Sequence, residues 1–186
     1  VGGMVWTNIT TGIAITGFLM EAGMSDFLFS IVIALPNLMN AFQFLASWWL
    51  EKTCKRMRMF LISGFVQRAI WFPFALIPFV IPMSSFALRI WAIAILSFVS
   101  AAAAPFMNVS FFSLCSDVIP IKVRGRYFAT RSRIATVAGL IIGILTGVIL
   151  DRLPGYPGYA VTFVIAAIFG TADICCFFFM KVPEIK

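Results

Sequence analysis

The chain has 186 residues, 62% of them hydrophobic and only 11% charged. Soluble domains run nearer half apolar and a quarter charged, so a water-soluble fold of this size is excluded and most of the surface must face lipid. The net charge of +7 is then topological, because Lys and Arg gather in cytoplasmic loops, and no nucleic-acid partner is implied.

There is no histidine, which removes histidine-based acid–base and metal chemistry. The four cysteines, Cys54, Cys115, Cys175 and Cys176, fit no zinc or redox spacing. No cofactor or metal is expected. The seven acids sit mostly at loop edges and form no reaction centre, so an enzyme is not expected either.

A span needs roughly 20 apolar residues to cross about 30 Å of hydrocarbon. The chain divides into six such runs. The first covers 1–20 and ends at the polar break EAGMSD. The second covers 27–50, with Pro36 as an expected kink, and ends at the basic turn EKTCKRMR. The third covers 59–81 and ends at PMSS. The fourth covers 86–115 and runs into the basic knot SDVIPIKVRGRYFATRSRI. The fifth covers 127–150, the turn-rich DRLPGYPGY follows, and the sixth covers 160–180 before the tail KVPEIK.

Eleven of the fourteen basic residues fall on one side of this map. Lys52, Lys55, Arg56 and Arg58 lie after the second run, and Lys122, Arg124, Arg126, Arg131 and Arg133 after the fourth. Lys181 and Lys186 lie in the tail. That asymmetry puts both termini in the cytoplasm of a multi-pass protein of the cell membrane. Val1 is not an initiator methionine, and the first span is expected to belong to a longer protein.

Ionisable groups inside a bilayer are functional candidates by default. Arg68 lies well inside the third run and Asp173 in the sixth. Arg68 would bind an anionic group of a substrate or pair with something structural; Asp173 would carry a proton or form such a pair. Arg89 lies near the outer surface and is expected to snorkel. Asn37 and Asn40 share a helix face by spacing and are candidates for the substrate or ion pathway, as are Arg68 and Asp173. Gly139, Gly143 and Gly147 recur at every fourth position of the fifth run, which lets helices approach closely in lipid.

The knot has an order of its own: Asp117, then Pro120, then Arg124-Gly125-Arg126, then the aromatic pair Tyr127 and Phe128. It resembles the loop between the fourth and fifth helices of the major facilitator superfamily. The loop after the second run is similar to that family's Gly-x-x-x-Asp-Arg-x-Gly-Arg-Arg. Ser47 and Cys54 stand for the two glycines and Glu51 for the aspartate, followed by Lys52, Lys55 and Arg56. The glycines of the fifth run look like part of the family's glycine-rich fifth helix. SWWLEK (47–52) and GVILDR (147–152) echo each other on opposite membrane sides, as the inverted three-plus-three repeats of that superfamily would.

The resemblance implies an all-α membrane protein of six transmembrane helices, a half bundle built from a first three-helix repeat (1–81) and a second (82–186). It implies the N-terminal half of a twelve-helix secondary transporter, which moves a small-molecule substrate by alternating access. A C-terminal six-helix half or a second copy would complete it. The alternative is a complete six-span channel or small carrier acting as a homodimer.

Under the resemblance, Glu51, Lys52, Lys55, Arg56, Asp117, Arg124, Gly125 and Arg126 form a cytoplasmic gate. Glu51 and Asp117 pair with Lys55, Arg56, Arg124 or Arg126, and Gly125 makes a tight turn. Since the family's first and fourth helices line its cavity, Asn8, Thr11 and Asn108 become substrate contacts. The competing role of each polar side chain is an interhelical hydrogen bond.

Overall fold

The computed structural model describes residues 2–53, 55–82 and 85–178. Among them every element is an α-helix, as apolar segments in lipid require, since each backbone amide must then be satisfied within its own segment. The lysines and final residues of the tail, and Cys54, fall outside the described residues.

The first run is two helices, α1 (Gly2–Thr11) and α2 (Ile13–Glu21). They part at Gly12, where a Cβ would run into the Asn8 carbonyl oxygen. The second run is α3 (Asp26–Asn40) and α4 (Gln43–Thr53), bent by 42°. That bend falls at Ala41 and Phe42 and not at Pro36, through which α3 continues.

The third run is α5 (Arg56–Ala69) and α6 (Trp71–Val80), which together form one 25-residue span. The irregularity at Ile70 has a local cause: Pro73 has no N–H to give to the Ala69 carbonyl. Helices α7 (Phe86–Val118), α8 (Ile121–Arg152) and α9 (Tyr156–Phe177) are long and continuous. Among the described residues four spans qualify by length and apolarity, or five with the bent α3–α4 pair. Of the six expected, the first is the shortfall, because Gly12 cuts it into two short pieces.

Two expectations about the knot are corrected. Only Ile119 and Pro120 separate α7 from α8, so the knot is helix and not loop. Gly125 makes no turn; it sits inside α8, in open space. Pro120 supplies a fixed φ immediately before the first turn, and Lys and Arg are good helix formers. Against them one interior glycine costs only about 1 kcal/mol. The turn residues of the next connection are likewise fewer than expected: Leu153, Pro154 and Gly155 suffice, with Gly155 at φ 81°.

The core is aromatic. Phe18 of α2, Phe74 of α6 and Phe163 of α9 are all fully buried, with each ring centroid within 5.4 Å of the others. Trp71 joins them at 4.6 Å from Phe74 and 5.3 Å from Phe163. A smaller cluster forms around Phe60, Leu114 and Ile174 toward the basic end.

Helix α1 packs on α9 and α8, α7 packs on α5 and α3, and α5 and α6 both meet α9. Helix α8 stands apart: nearly all of its apolar stretch lies outside the packed interior. The expected glycine packing face is therefore found only at its start. Gly139 abuts the Asn8 side chain, while Gly143 and Gly147 face open space.

Arg89 departs from expectation too. It is 3% exposed and does not snorkel. Its guanidinium donates to the carbonyls of Ile81 (2.8 Å) and Pro78 (3.4 Å) and to the Tyr156 hydroxyl (3.2 Å). Tyr156 in turn donates to the Glu21 carbonyl at 3.0 Å. The carbonyls left over at the end of α6 need a donor, and a buried arginine on the neighbouring helix is the one at hand.

Candidate functional site

The first cavity, of about 400 Å³, lies between α1, α5, α7, α8 and α9. A second, of about 290 Å³, lies between α1, α3, α5, α6 and α7. Both reach Met107 and Asn108, so they adjoin on the α7 wall.

The first cavity holds the buried charge. Arg68 is 4% exposed. One of its terminal nitrogens donates to the Gly170 carbonyl at 2.7 Å and to Asp173 Oδ2 at 3.1 Å. The guanidinium lies 5.6 Å from the Trp6 ring, a contact worth about 2 kcal/mol when desolvated. Glycines make room for this. A Cβ on Gly170 would stand 2.9 Å from Trp6 Cδ1 and 3.1 Å from Arg68 Cδ; one on Gly3 would stand 2.9 Å from Asp173 Oδ2. The bare backbones of α1 and α9 thus close over the ion pair.

Arg68 and Asp173, 105 residues apart, are brought together. An arginine at this depth is tolerable only with a partner, and Asp173 is that partner.

The second cavity carries no charged side chain. Thr11, Asn40, Gln67, Ser100 and Asn108 are among its polar groups, and Trp6 and Trp71 are its aromatic walls. Some of these groups are already engaged. Thr11 donates to the Thr7 carbonyl at 2.7 Å, Ser100 to the Gln67 carbonyl at 3.1 Å, and Trp71 Nε1 to Ser100 at 3.3 Å.

Of the remaining pathway candidates, Asn8 and Asn37 line neither cavity. Asn8 donates back to the Met4 carbonyl at 2.9 Å and lies against Gly139; Asn37 is exposed. Asn37 and Asn40 do not act as one face, because only Asn40 turns inward with Pro36.

At the basic end, Arg56 at the start of α5 is ion-paired with Asp117 at the end of α7. Glu51 and Arg56 border a small cavity beside α7. Arg124 turns back to donate to the Ser116 and Ile119 carbonyls at 2.8 and 3.2 Å, closing the end of α7 as a cation at a helix C-terminus does. Lys52 lies 5.1 Å over the Trp48 ring. Lys55, Arg126 and Gly125 are exposed.

The residue that sequence reasoning placed elsewhere is Arg131. It stands in the first cavity, with its guanidinium carbon 4.7 Å above the Phe111 ring. The signal was present: Tyr127, Thr130, Arg131, Ile134, Ala135 and Ala138 fall at i, i+3, i+4, i+7, i+8 and i+11, one helical stripe, and all six line the cavity.

Comparison with protein-family models, with curated proteins and with solved structures finds no match to this chain.

Proposed function

We propose that this chain is the N-terminal six-helix half of a secondary transporter of the major facilitator type. It carries a small solute across the cytoplasmic membrane by alternating access, facing a second six-helix half or a second copy. The observation that carries the reading is the pair of cavities meeting at Asn108, each with polar side chains in a largely apolar wall. Lipid-exposed chains keep polar surface inside the membrane only where it serves a path or a pair.

The packing supports a three-plus-three repeat. Take α1–α2, α3–α4 and α5–α6 as spans one to three and α7, α8 and α9 as four to six. Span one meets six and five; span four meets three and two; three meets six. Exchanging one with four, two with five and three with six maps these contacts onto one another, as an inverted repeat would.

The Arg56–Asp117 pair, bridging α5 and α7 at the basic end, is the natural element of a cytoplasmic gate. Its side chains are 39% and 17% exposed, and pairs of that kind are worth only about 0–1 kcal/mol. A contact that weak can break and reform as a two-state equilibrium turns over. Asp173, at the wall of the first cavity, is paired with Arg68, which supports the pairing role for this carboxylate.

Proteoliposomes prepared from membranes expressing the native gene test the reading. A stopped-flow assay should record a gradient-driven solute flux that saturates. Flux that rises without saturation would indicate a channel and refute the carrier.

A further inference from the structure

We propose that the first cavity is an anion site, which takes a small organic monoanion with an apolar body, and that Arg131 receives its charge. The proposal deepens the transporter reading by naming a substrate class.

Among the described residues three charged side chains line the cavity: Arg68, Arg131 and Asp173. Arg68 and Asp173 neutralise each other at 3.1 Å. Among the described residues Arg131 has no carboxylate partner; it rests on the face of Phe111. The described lining therefore carries one net positive charge, which a single negative charge would balance.

The contact with the Phe111 face engages no N–H donor in a hydrogen bond to an acceptor oxygen, and arginine can bind a carboxylate through two parallel N–H bonds. Asn108, on the facing wall, adds a neutral polar group. The rest of the lining suits a hydrocarbon body: Phe60, Met107, Ile134 and Phe177 are all present. About 400 Å³ lies at the lower end of small-molecule sites. A cation would be repelled by the lining. A neutral isostere would leave the arginine unpaired, and a site built for a polar partner rejects the analogue that lacks it.

An anionic lipid headgroup shares this chemistry, so the test separates the two sources. The purified chain in neutral detergent is melted across a concentration series of sodium benzoate, with sodium chloride at matched ionic strength. Benzamide, the neutral isostere, and short-chain phosphatidylglycerol are run in parallel.

Benzoate should raise the melting temperature saturably and benzamide should not. Arg131→Gln should weaken apparent benzoate affinity by about tenfold or more, as loss of a charged hydrogen bond does. Arg131→Lys should weaken it less and keep the preference for benzoate over benzamide, a comparison that stands even if the glutamine variant does not fold. Arg133→Gln, an exposed neighbour outside the cavity, should behave as wild type.

Equal stabilisation by benzamide, or full benzoate affinity in Arg131→Gln, would overturn the proposal. Stabilisation by phosphatidylglycerol with none by benzoate would overturn it in favour of a lipid site. Binding is read without transport, so benzoate binding without saturable flux would refute the transporter reading alone.

Discussion

Replacing Asp173 with Asn removes the carboxylate from Arg68 and leaves the guanidinium, 4% exposed, against the Gly170 carbonyl and the Trp6 ring. Breaking a buried pair from one side costs about 3–5 kcal/mol, because the other charge stays behind. Asp173 is 25% exposed at its side chain, so some solvent reaches the pair, and the lower end, about 3 kcal/mol, is expected. The companion double variant, Arg68→Leu with Asp173→Leu, removes both charges at once. Apolar replacement of a whole pair is often neutral or stabilising, so the double variant should recover most of the loss. Reversible unfolding in mixed micelles, titrated with sodium dodecyl sulfate, measures both. An Asp173→Asn loss below about 0.5 kcal/mol, in the range of ordinary surface substitutions, would refute the claim that this ion pair holds α5 to α9.

The other expectations follow from the same geometry. Gly170→Ala pushes a methyl to 2.9 Å from Trp6 Cδ1, so it should cost about 1–3 kcal/mol by overpacking and shift tryptophan emission. Asp117→Asn breaks the Arg56 pair at a partly exposed site, so unfolding should move by less than about 1 kcal/mol, while the reactivity of Cys115 toward a thiol reagent should change if the pair acts as the proposed gate. Gly143→Ala enters open space and should be neutral or stabilise by up to about 1 kcal/mol through helix propensity. Gly139→Ala meets Asn8 at 2.9 Å and should be the worse of the two in the same assay.

The apolar runs were legible because lipid demands them, and α7 and α9 were found nearly to their ends. The interruptions were harder. Gly12, Ile70 and the Ala41–Phe42 bend leave an apolar run intact while breaking its helix, so hydropathy does not register them. The knot misled for the opposite reason. Its charges read as a loop, yet Lys and Arg continue a helix well, and α8 carries them on the stretch ahead of its apolar core.

Arg68 and Asp173 were each visible as costly groups, but a pairing across 105 residues depends on how α5 meets α9. Arg89 looked peripheral by position, since the need of the α6 carbonyls is a tertiary fact. Arg131 was counted with its basic neighbours, although its spacing from Tyr127 and Ile134 already put it on an inward stripe.

Asn108, where the two cavities adjoin, is the position from which alternating access is read most directly. Asn108→Cys would be placed in a background with Cys54, Cys115, Cys175 and Cys176 replaced by Ser, then labelled with a membrane-impermeant thiol reagent in right-side-out and inside-out vesicles. The account predicts labelling from both faces, since the site opens to each in turn. Labelling from one face alone would contradict it.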